Sequence, residues 1–179
     1  KYSFENISRV AGIDITSYDS VRAKIQTSEA YIILHMAAKT NVDGCEEDKP
    51  LGENGEAWQI NVLGTQNIVD GTKASGKKII YISTDFVFDG TKTIYSEEDV
   101  PHPTNWYGQT KLEGEKIVES AGIQFVILRI AYPYRAIFEK KSDFMRTIAA
   151  RLKEGKSINV VSDQIMTPTF IDDIAQAVD

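Results

Sequence analysis

The chain has 179 residues, of which 42% are hydrophobic and 26% charged, and it carries a net charge of −6; these are values of an ordinary water-soluble globular protein with chain enough to bury a core. No apolar run approaches the ~18–20 residues of a membrane-spanning helix, no basic-then-apolar leader opens the sequence, and no basic block exceeds a Lys-Lys pair, so membrane insertion, export and nucleic-acid binding are not expected. A single cysteine, Cys45, and two widely spaced histidines, His35 and His102, exclude a disulfide framework and a Cys/His metal cluster and fit a reducing, cytoplasmic setting.

In chain order, a helical pattern over Ser17–Thr27 precedes the branched apolar run Tyr31–Leu34. Cys45–Gly55, polar and acidic with Pro50 and two glycines, reads as a surface loop, and Glu46-Glu47-Asp48 within it as a solvated face. A helix over Glu56–Ala74 leads to the run Lys78–Ser83, and a longer loop over Asp89–Asn105, with Gly90, Pro101 and Pro103, leads to a helix over Asn105–Ser120. The run Phe125–Ile130, a helix over Ser142–Glu154, a weaker run Ile158–Val161 and a helix over Ile171–Val178 complete the pattern. Gly76, Gly122 and Gly155 stand just past three of these helices, where the residue beyond the last turn often takes positive φ. Short apolar runs alternating with helices predict strands buried on both faces and joined by right-handed crossovers. The expected fold class is α/β, a doubly wound, Rossmann-like parallel sheet.

Ligands of such sheets bind outside the carboxyl ends of the strands, which brings forward His35–Thr40, Ser83–Gly90 and Ala131–Tyr134. Tyr107 and Lys111 lie four apart in a predicted helix and share a face. That spacing alone decides little, since a half-buried tyrosine beside a solvated lysine has the same signature. Its context is more informative: Thr84 offers a hydroxyl at a strand end, and the small Ala37 and Ala38 would let a flat ring approach the backbone. The chemistry that wants this trio is hydride transfer at a carbon bearing oxygen. Negative charge growing on a ketone oxygen would be met by the Tyr107 proton, a neighbouring ammonium would draw the phenol from its ordinary pKa of ~10 toward neutrality, and Thr84 would add a second hydrogen bond. Ser83-Thr84-Asp85 also reads as a turn-forming strand terminus. His35 reads as a strand-end histidine satisfied by backbone, His102 as an exposed loop residue and Cys45 as an incidental thiol.

Further segments join these: His35-Met-Ala-Ala-Lys-Thr-Asn-Val-Asp43, Asn61, Ser83-Thr-Asp-Phe-Val-Phe-Asp-Gly90, Glu97-Glu-Asp99 with Pro101 and Pro103, Tyr107-Gly-Gln-Thr-Lys111 with Gly114-Glu115, Arg129, and Val160–Thr169 with Asp172-Asp173. With them, nearly the whole chain resembles the dTDP-4-dehydrorhamnose reductase family of extended short-chain dehydrogenases/reductases. The resemblance implies NADPH- or NADH-dependent reduction of the 4-keto group of a nucleotide-linked deoxysugar in dTDP-L-rhamnose synthesis. It implies Tyr107 as proton donor, Lys111 on the nicotinamide ribose, and Thr84 on the sugar 4-keto oxygen, with Asp85 also touching substrate. Ala37, Ala38, Lys39 and Thr40 would line the cofactor, and Asp14 and Ile15 would meet its adenine end. Tyr132 stands where many members carry a tryptophan that stacks on the sugar. Lys39 replaces a ring usual in the family, and Asp143 replaces an asparagine.

A dinucleotide-binding fold also needs a glycine-rich turn after its first strand, and the sequence contains none. The resemblance places that turn before Lys1, so the 179 residues are expected to be the middle of a longer polypeptide. Residues 1–135 would form most of a dinucleotide-binding domain lacking its first strand. Residues 136–179 would begin a substrate-binding lobe interleaved with the last sheet elements. A homodimer is a possible assembly. Two alternatives stand beside the reductase: a non-catalytic, cofactor-binding regulatory subunit resembling that of methionine adenosyltransferase, and a sugar-nucleotide epimerase or dehydratase, against which Asp163-Gln164 and Pro168-Thr169 speak.

Overall fold

The computed structural model describes residues 3–135, 143–159 and 163–177. Helix α1 (Tyr18–Thr27) precedes strand β1 (Ile32–His35), after which come α2 (Val42–Asp48), α3 (Glu56–Trp58) and α4 (Gly64–Ala74). Strand β2 (Lys78–Thr84), helix α5 (Trp106–Ser120), strand β3 (Phe125–Ile130) and helices α6 (Phe144–Lys153) and α7 (Ile171–Ala177) follow. The sheet order is β1-β2-β3, and β1 runs parallel to β2 with Ile33 opposite Ile79 and His35 opposite Tyr81. This is the expected parallel α/β architecture with flanking helices. Gly76, Gly122 and Gly155 adopt φ of 63°, 67° and 67°, as their places after helices predict. No helix among the described residues is long and apolar enough to cross a membrane.

The chain divides into two compact units, residues 1–89 with 95–129, and residues 90–94 with 130–179. In the first, α1 and α4 pack beside each other and close a core of Ile15, Val21, Ile25, Ile33, Ile68, Val69, Ile79, Tyr81, Val118 and Ala121. Apolar burial of this kind supplies most of what holds an α/β layer together. In the second unit, Tyr134 pairs with Phe170 in an isolated parallel bridge. Nearby, the Thr169 N–H donates to the Ala131 carbonyl at 2.8 Å.

Several expectations need correction. The stretch expected to be a surface loop is instead helix α2 running into a tight turn over Lys49–Asn54. Asn41 caps α2 by accepting from the Gly44 N–H at 3.0 Å, and Cys45 is fully buried beneath it. The acidic run is not a mere solvated face. Glu46 accepts from the Trp106 N–H at the start of α5, and Asp48 accepts from the Ala57 N–H at the start of α3. Both carboxylates satisfy amides that a helix start leaves without intrahelical partners, and negative charge there suits the helix dipole. Burial on both faces holds for the central strand β2 but not throughout its neighbours. Among the described residues, Ile32 of β1 is 48% exposed, and Phe125 and Val126 of β3 are 41% and 48% exposed. Ile158 and Asn159 are not in a strand, and Val160 and Val161 lie outside the described residues. Ser142 and Val178, at the ends of two predicted helices, also lie outside them.

Candidate active site

Asn61 joins the segment after β1 to helix α5. Between α3 and α4 the helix widens into a π-turn over Gln59–Leu63, a device often found at functional positions. It carries Asn61 fully buried. The Asn61 side chain accepts from the Lys39 N–H at 2.8 Å and donates to the Lys39 carbonyl at 3.2 Å and to the Thr110 hydroxyl at 2.9 Å. One amide thus pins the backbone after β1 and ties it to α5. The half-buried Ala37 and Ala38 lie on this fixed segment. The Lys39 ammonium turns to Glu56 at 2.9 Å and Asp48 at 3.8 Å, and these pairs raise its pKa. A lysine at this position therefore staples the strand end to the start of α3. Thr40 is exposed just beyond it.

At the end of β2, Thr84 caps a short turn, Asp85–Val87, by accepting from the Phe86 N–H at 3.2 Å, and its hydroxyl donates to Asp85 at 3.2 Å. The Asp85 carboxyl is held above its ordinary pKa by burial, partly offset by the Thr84 and backbone hydrogen bonds. Helix α5 begins at Asn105, whose side chain accepts from the Gly108 N–H at 2.8 Å. Gly108 is required by contact: a Cβ there would press into the Phe86 carbonyl, with that carbon at 2.9 Å and Pro103 Cβ at 3.1 Å. This close approach places Tyr107, 9% exposed, against the β2 turn, with the Thr84 side chain beside its hydroxyl and its ring edge-on to Phe86.

Lys111 is 2% exposed. Its ammonium donates to the Ile82 carbonyl at 2.9 Å and sits 4.0 Å above the Tyr81 ring. Burial lowers its pKa to about 7 from the ordinary 10.5, with Glu115 opposing the fall. The Tyr81 ring fits because residue 114 is glycine: a Cβ there would stand 3.0 Å from Cζ and closer still to the hydroxyl. The lowering of the Tyr107 pKa expected from Lys111 is not the balance this geometry gives. Burial holds the phenol above its ordinary value, Cys45 and Asp85 add to the rise, and the Thr84 hydrogen bond works against it.

His35 finds a side-chain partner rather than the expected backbone one. Its Nε2 meets the Thr65 hydroxyl at 3.0 Å, and that hydroxyl donates to the Asn61 carbonyl at 2.7 Å, so the His35 nitrogen is the donor. Burial, with Lys111 nearby, lowers its pKa to about 3 and keeps it neutral. Cys45 is buried with its thiol pushed up by desolvation, which suits packing rather than nucleophilic chemistry.

Of the other predicted residues, Asp14 accepts from the Thr16 N–H at 2.9 Å and hydroxyl at 2.8 Å ahead of α1. Ile15 is buried, and its carbonyl accepts from Asn67 at 2.9 Å. Tyr132 belongs to the second unit. It has φ of 39°, lies 5.3 Å from the Phe144 ring, and accepts from Gln164 at 2.9 Å. Asp143 is the N-cap of α6, accepting from the Arg146 N–H at 2.8 Å, a role asparagine would fill equally. The structure thus brings Thr84, Asp85 and Tyr107 together, with Lys111 one helical turn along α5 against Tyr81 and the Ile82 carbonyl. It adds Asn61 as organiser, a role that residue type and spacing did not signal because a π-turn breaks helical periodicity.

Among solved structures, the chain is similar to dTDP-4-dehydrorhamnose reductase from Bacillus anthracis in complex with NADP. The TM-score is 0.82 at 34% identity, over 92% of this chain and 56% of that one. Among curated relatives, dTDP-4-dehydrorhamnose reductase of Aggregatibacter actinomycetemcomitans is 34% identical over 91% of this chain and 53% of its own. Methionine adenosyltransferase 2 subunit beta of Rattus norvegicus is 32% identical over 91% and 48%. The chain therefore spans about half the length of the curated relatives it matches. The family described as the RmlD substrate binding domain matches residues 3–179, and the chain belongs to that family.

Proposed function

We propose that the protein is an NAD(P)H-dependent reductase of the 4-keto group of a nucleotide-linked deoxysugar, acting in dTDP-L-rhamnose synthesis or on a close relative. The observation that carries this reading is the buried Tyr107 set beside Thr84 at the end of β2, with the buried Lys111 one helical turn further along α5. The donor set suits a nicotinamide cofactor. The Lys111 ammonium has three protons, of which the Ile82 carbonyl takes one, and a pair of ribose hydroxyls would use such donors. Lys111, Tyr107, Ala37, Ala38, Lys39 and Thr40 would hold the nicotinamide half, and Asp14 and Ile15 the adenine end. When bound, the cofactor supplies hydride.

The chain's own residues do the rest. Thr84 donates a hydrogen bond to the keto oxygen and fixes its position, Tyr107 gives the proton that the growing alkoxide needs, and Lys111 stabilises the phenolate left behind. Exclusion of water around the buried tyrosine strengthens these interactions. Asp85 and Tyr132 would contact the sugar. Residues 1–135 would supply most of the dinucleotide-binding domain and 136–179 the beginning of the substrate lobe, in a cytoplasmic protein that pairs as a homodimer.

The test mixes the full-length protein with dTDP-4-keto-6-deoxysugar and reduced cofactor and follows cofactor absorbance. Turnover that falls at least ~10²-fold in Tyr107→Phe supports the reading; wild-type activity no better than that variant rejects it. A second reading, a non-catalytic regulatory subunit, draws on the similarity to methionine adenosyltransferase 2 subunit beta. Co-purification with such a synthetase, together with cofactor binding but no turnover, would favour it.

A further inference from the structure

Beyond the tyrosine, on α5 and β3, stand three charges, of which the proposed reaction itself uses only Lys111. Lys111 presses its ammonium on the Tyr81 ring at 4.0 Å and donates to the Ile82 carbonyl at 2.9 Å. One helical turn further along α5 is Glu115, 1% exposed. Both of its carboxylate oxygens are gripped by Arg129 of β3, with Nε at 3.0 Å from Oε1 and Nη2 at 2.7 Å from Oε2. The guanidinium in turn lies 5.1 Å from the centroid of the Phe88 ring.

A buried arginine–glutamate pair is no stabiliser in itself, because apolar residues of the same volume serve as well or better. Its placement relative to Lys111 gives it a use. The i,i+4 spacing puts Glu115 and Lys111 on one face of α5. The other titratable groups beside the ammonium are His35 from β1, held neutral, and Tyr81 from β2, and Tyr107 stands one helical turn away on α5 itself. None of these is an anion. Glu115 is the carboxylate that favours the charged form of Lys111. Arg129, by occupying both oxygens, keeps that carboxylate from folding back into a direct pair that would draw Lys111 off the Tyr81 ring.

We propose that Glu115, oriented by Arg129, is a positioning residue that keeps the Lys111 ammonium charged and seated beneath Tyr107. The kinetic consequence rests on the reductase reading; the electrostatic one does not.

The full-length protein, labelled with ¹³C-lysine, is titrated by NMR, the Lys111 signal being identified by its loss in Lys111→Met. Glu115→Gln removes the anion and lowers the Lys111 midpoint by about one pH unit or more. Arg129→Gln removes a cation and leaves the midpoint unchanged or raised. If Glu115→Gln does not fold, as judged by near-UV circular dichroism, the paired variant Glu115→Gln/Arg129→Met is compared with Arg129→Met alone and must have the lower midpoint of the two. In the reductase assay the alkaline limb of kcat moves down with that midpoint, while the KM for the keto-sugar holds. A midpoint unmoved by loss of Glu115, or one lowered equally by loss of Arg129 alone, overturns the proposal and marks the pair as packing. Wild-type protein without turnover but with the Glu115-dependent shift rejects the reductase reading alone. Turnover without the shift rejects this proposal alone.

Discussion

Gly108→Ala should loosen the site and the fold together, because residue 108 is where α5 meets the β2 turn. The new methyl would lie 2.9 Å from the Phe86 carbonyl carbon, nearer still to its oxygen, and 3.1 Å from Pro103, against an ordinary contact of 3.4 Å or more. The obstacle is backbone on a capped turn, not the end of a flexible side chain, so helix and turn must separate by about an ångström. Overpacking of this kind costs ~1–3 kcal/mol, and a rigid carbonyl belongs at the upper end. Alanine's better helix propensity returns at most ~1 kcal/mol, leaving a net loss of about 2 kcal/mol. Urea unfolding of the full-length protein would read this as a lowered midpoint at unchanged slope. Gly122→Ala serves as a comparison, since it meets no atom within 4 Å but has φ of 67°; its cost of ~1 kcal/mol reflects backbone strain alone. The same separation moves Tyr107 from Thr84, and a displacement of that size can cost ~10²-fold in turnover. A Gly108→Ala protein with the wild-type midpoint and wild-type turnover would refute the reasoning.

Asn105→Ala removes the α5 cap and should cost about 1 kcal/mol in a thermal or urea melt. His35 has a folded pKa of about 3 against an ordinary 6.5, so the unfolded chain binds the extra proton and stability falls as pH drops from about 6.5 toward 3. The loss is on the order of several kcal/mol, and His35→Gln, which retains a donor for Thr65, should flatten it when urea midpoints are compared at neutral and acid pH. Lys111 is held at about 7 against an ordinary 10.5, so burying its ammonium is a penalty that grows as pH falls through that window and is complete below it. Lys111→Met should therefore melt higher than wild type at pH 7, lose that advantage toward pH 10, and show no turnover.

Where local pattern and tertiary environment agree, the residues announce their structure. Strand β2 is apolar because both of its faces are covered, and α5 declares itself through the Asn105 cap and the glycine beyond its end. Thr84, Tyr107 and Lys111 could be singled out because the chemistry proposed for them needs specific side chains at a spacing that a helix and a strand end supply. Residues 42–54 were not legible. Their helix is short and acidic and interrupted by glycine and proline, and its carboxylates earn their place by capping two other helices, a contact that no local pattern encodes. Asn61 was visible as a residue, but its organising role was hidden for a related reason, since its environment arises from a widened turn. The state of the tyrosine proton was also out of reach of residue spacing, since it depends on how deeply Tyr107 is buried and on what its hydroxyl touches.

The fit of Tyr81 against Gly114 constrains the ways in which this protein can change. A methyl at 114 would meet the phenol's outer end, its Cζ at 3.0 Å and the Asn61 carbonyl oxygen at 3.2 Å, so Tyr81→Phe relieves only the nearest contact and Gly114→Ala costs stability in either background, more where Tyr81 is retained. Because the same ring is the floor on which the Lys111 ammonium rests, position 81 cannot abandon aromaticity without unseating that charge. Two residues in the core, neither of them in contact with substrate, thereby narrow the mutational routes open to the site above them.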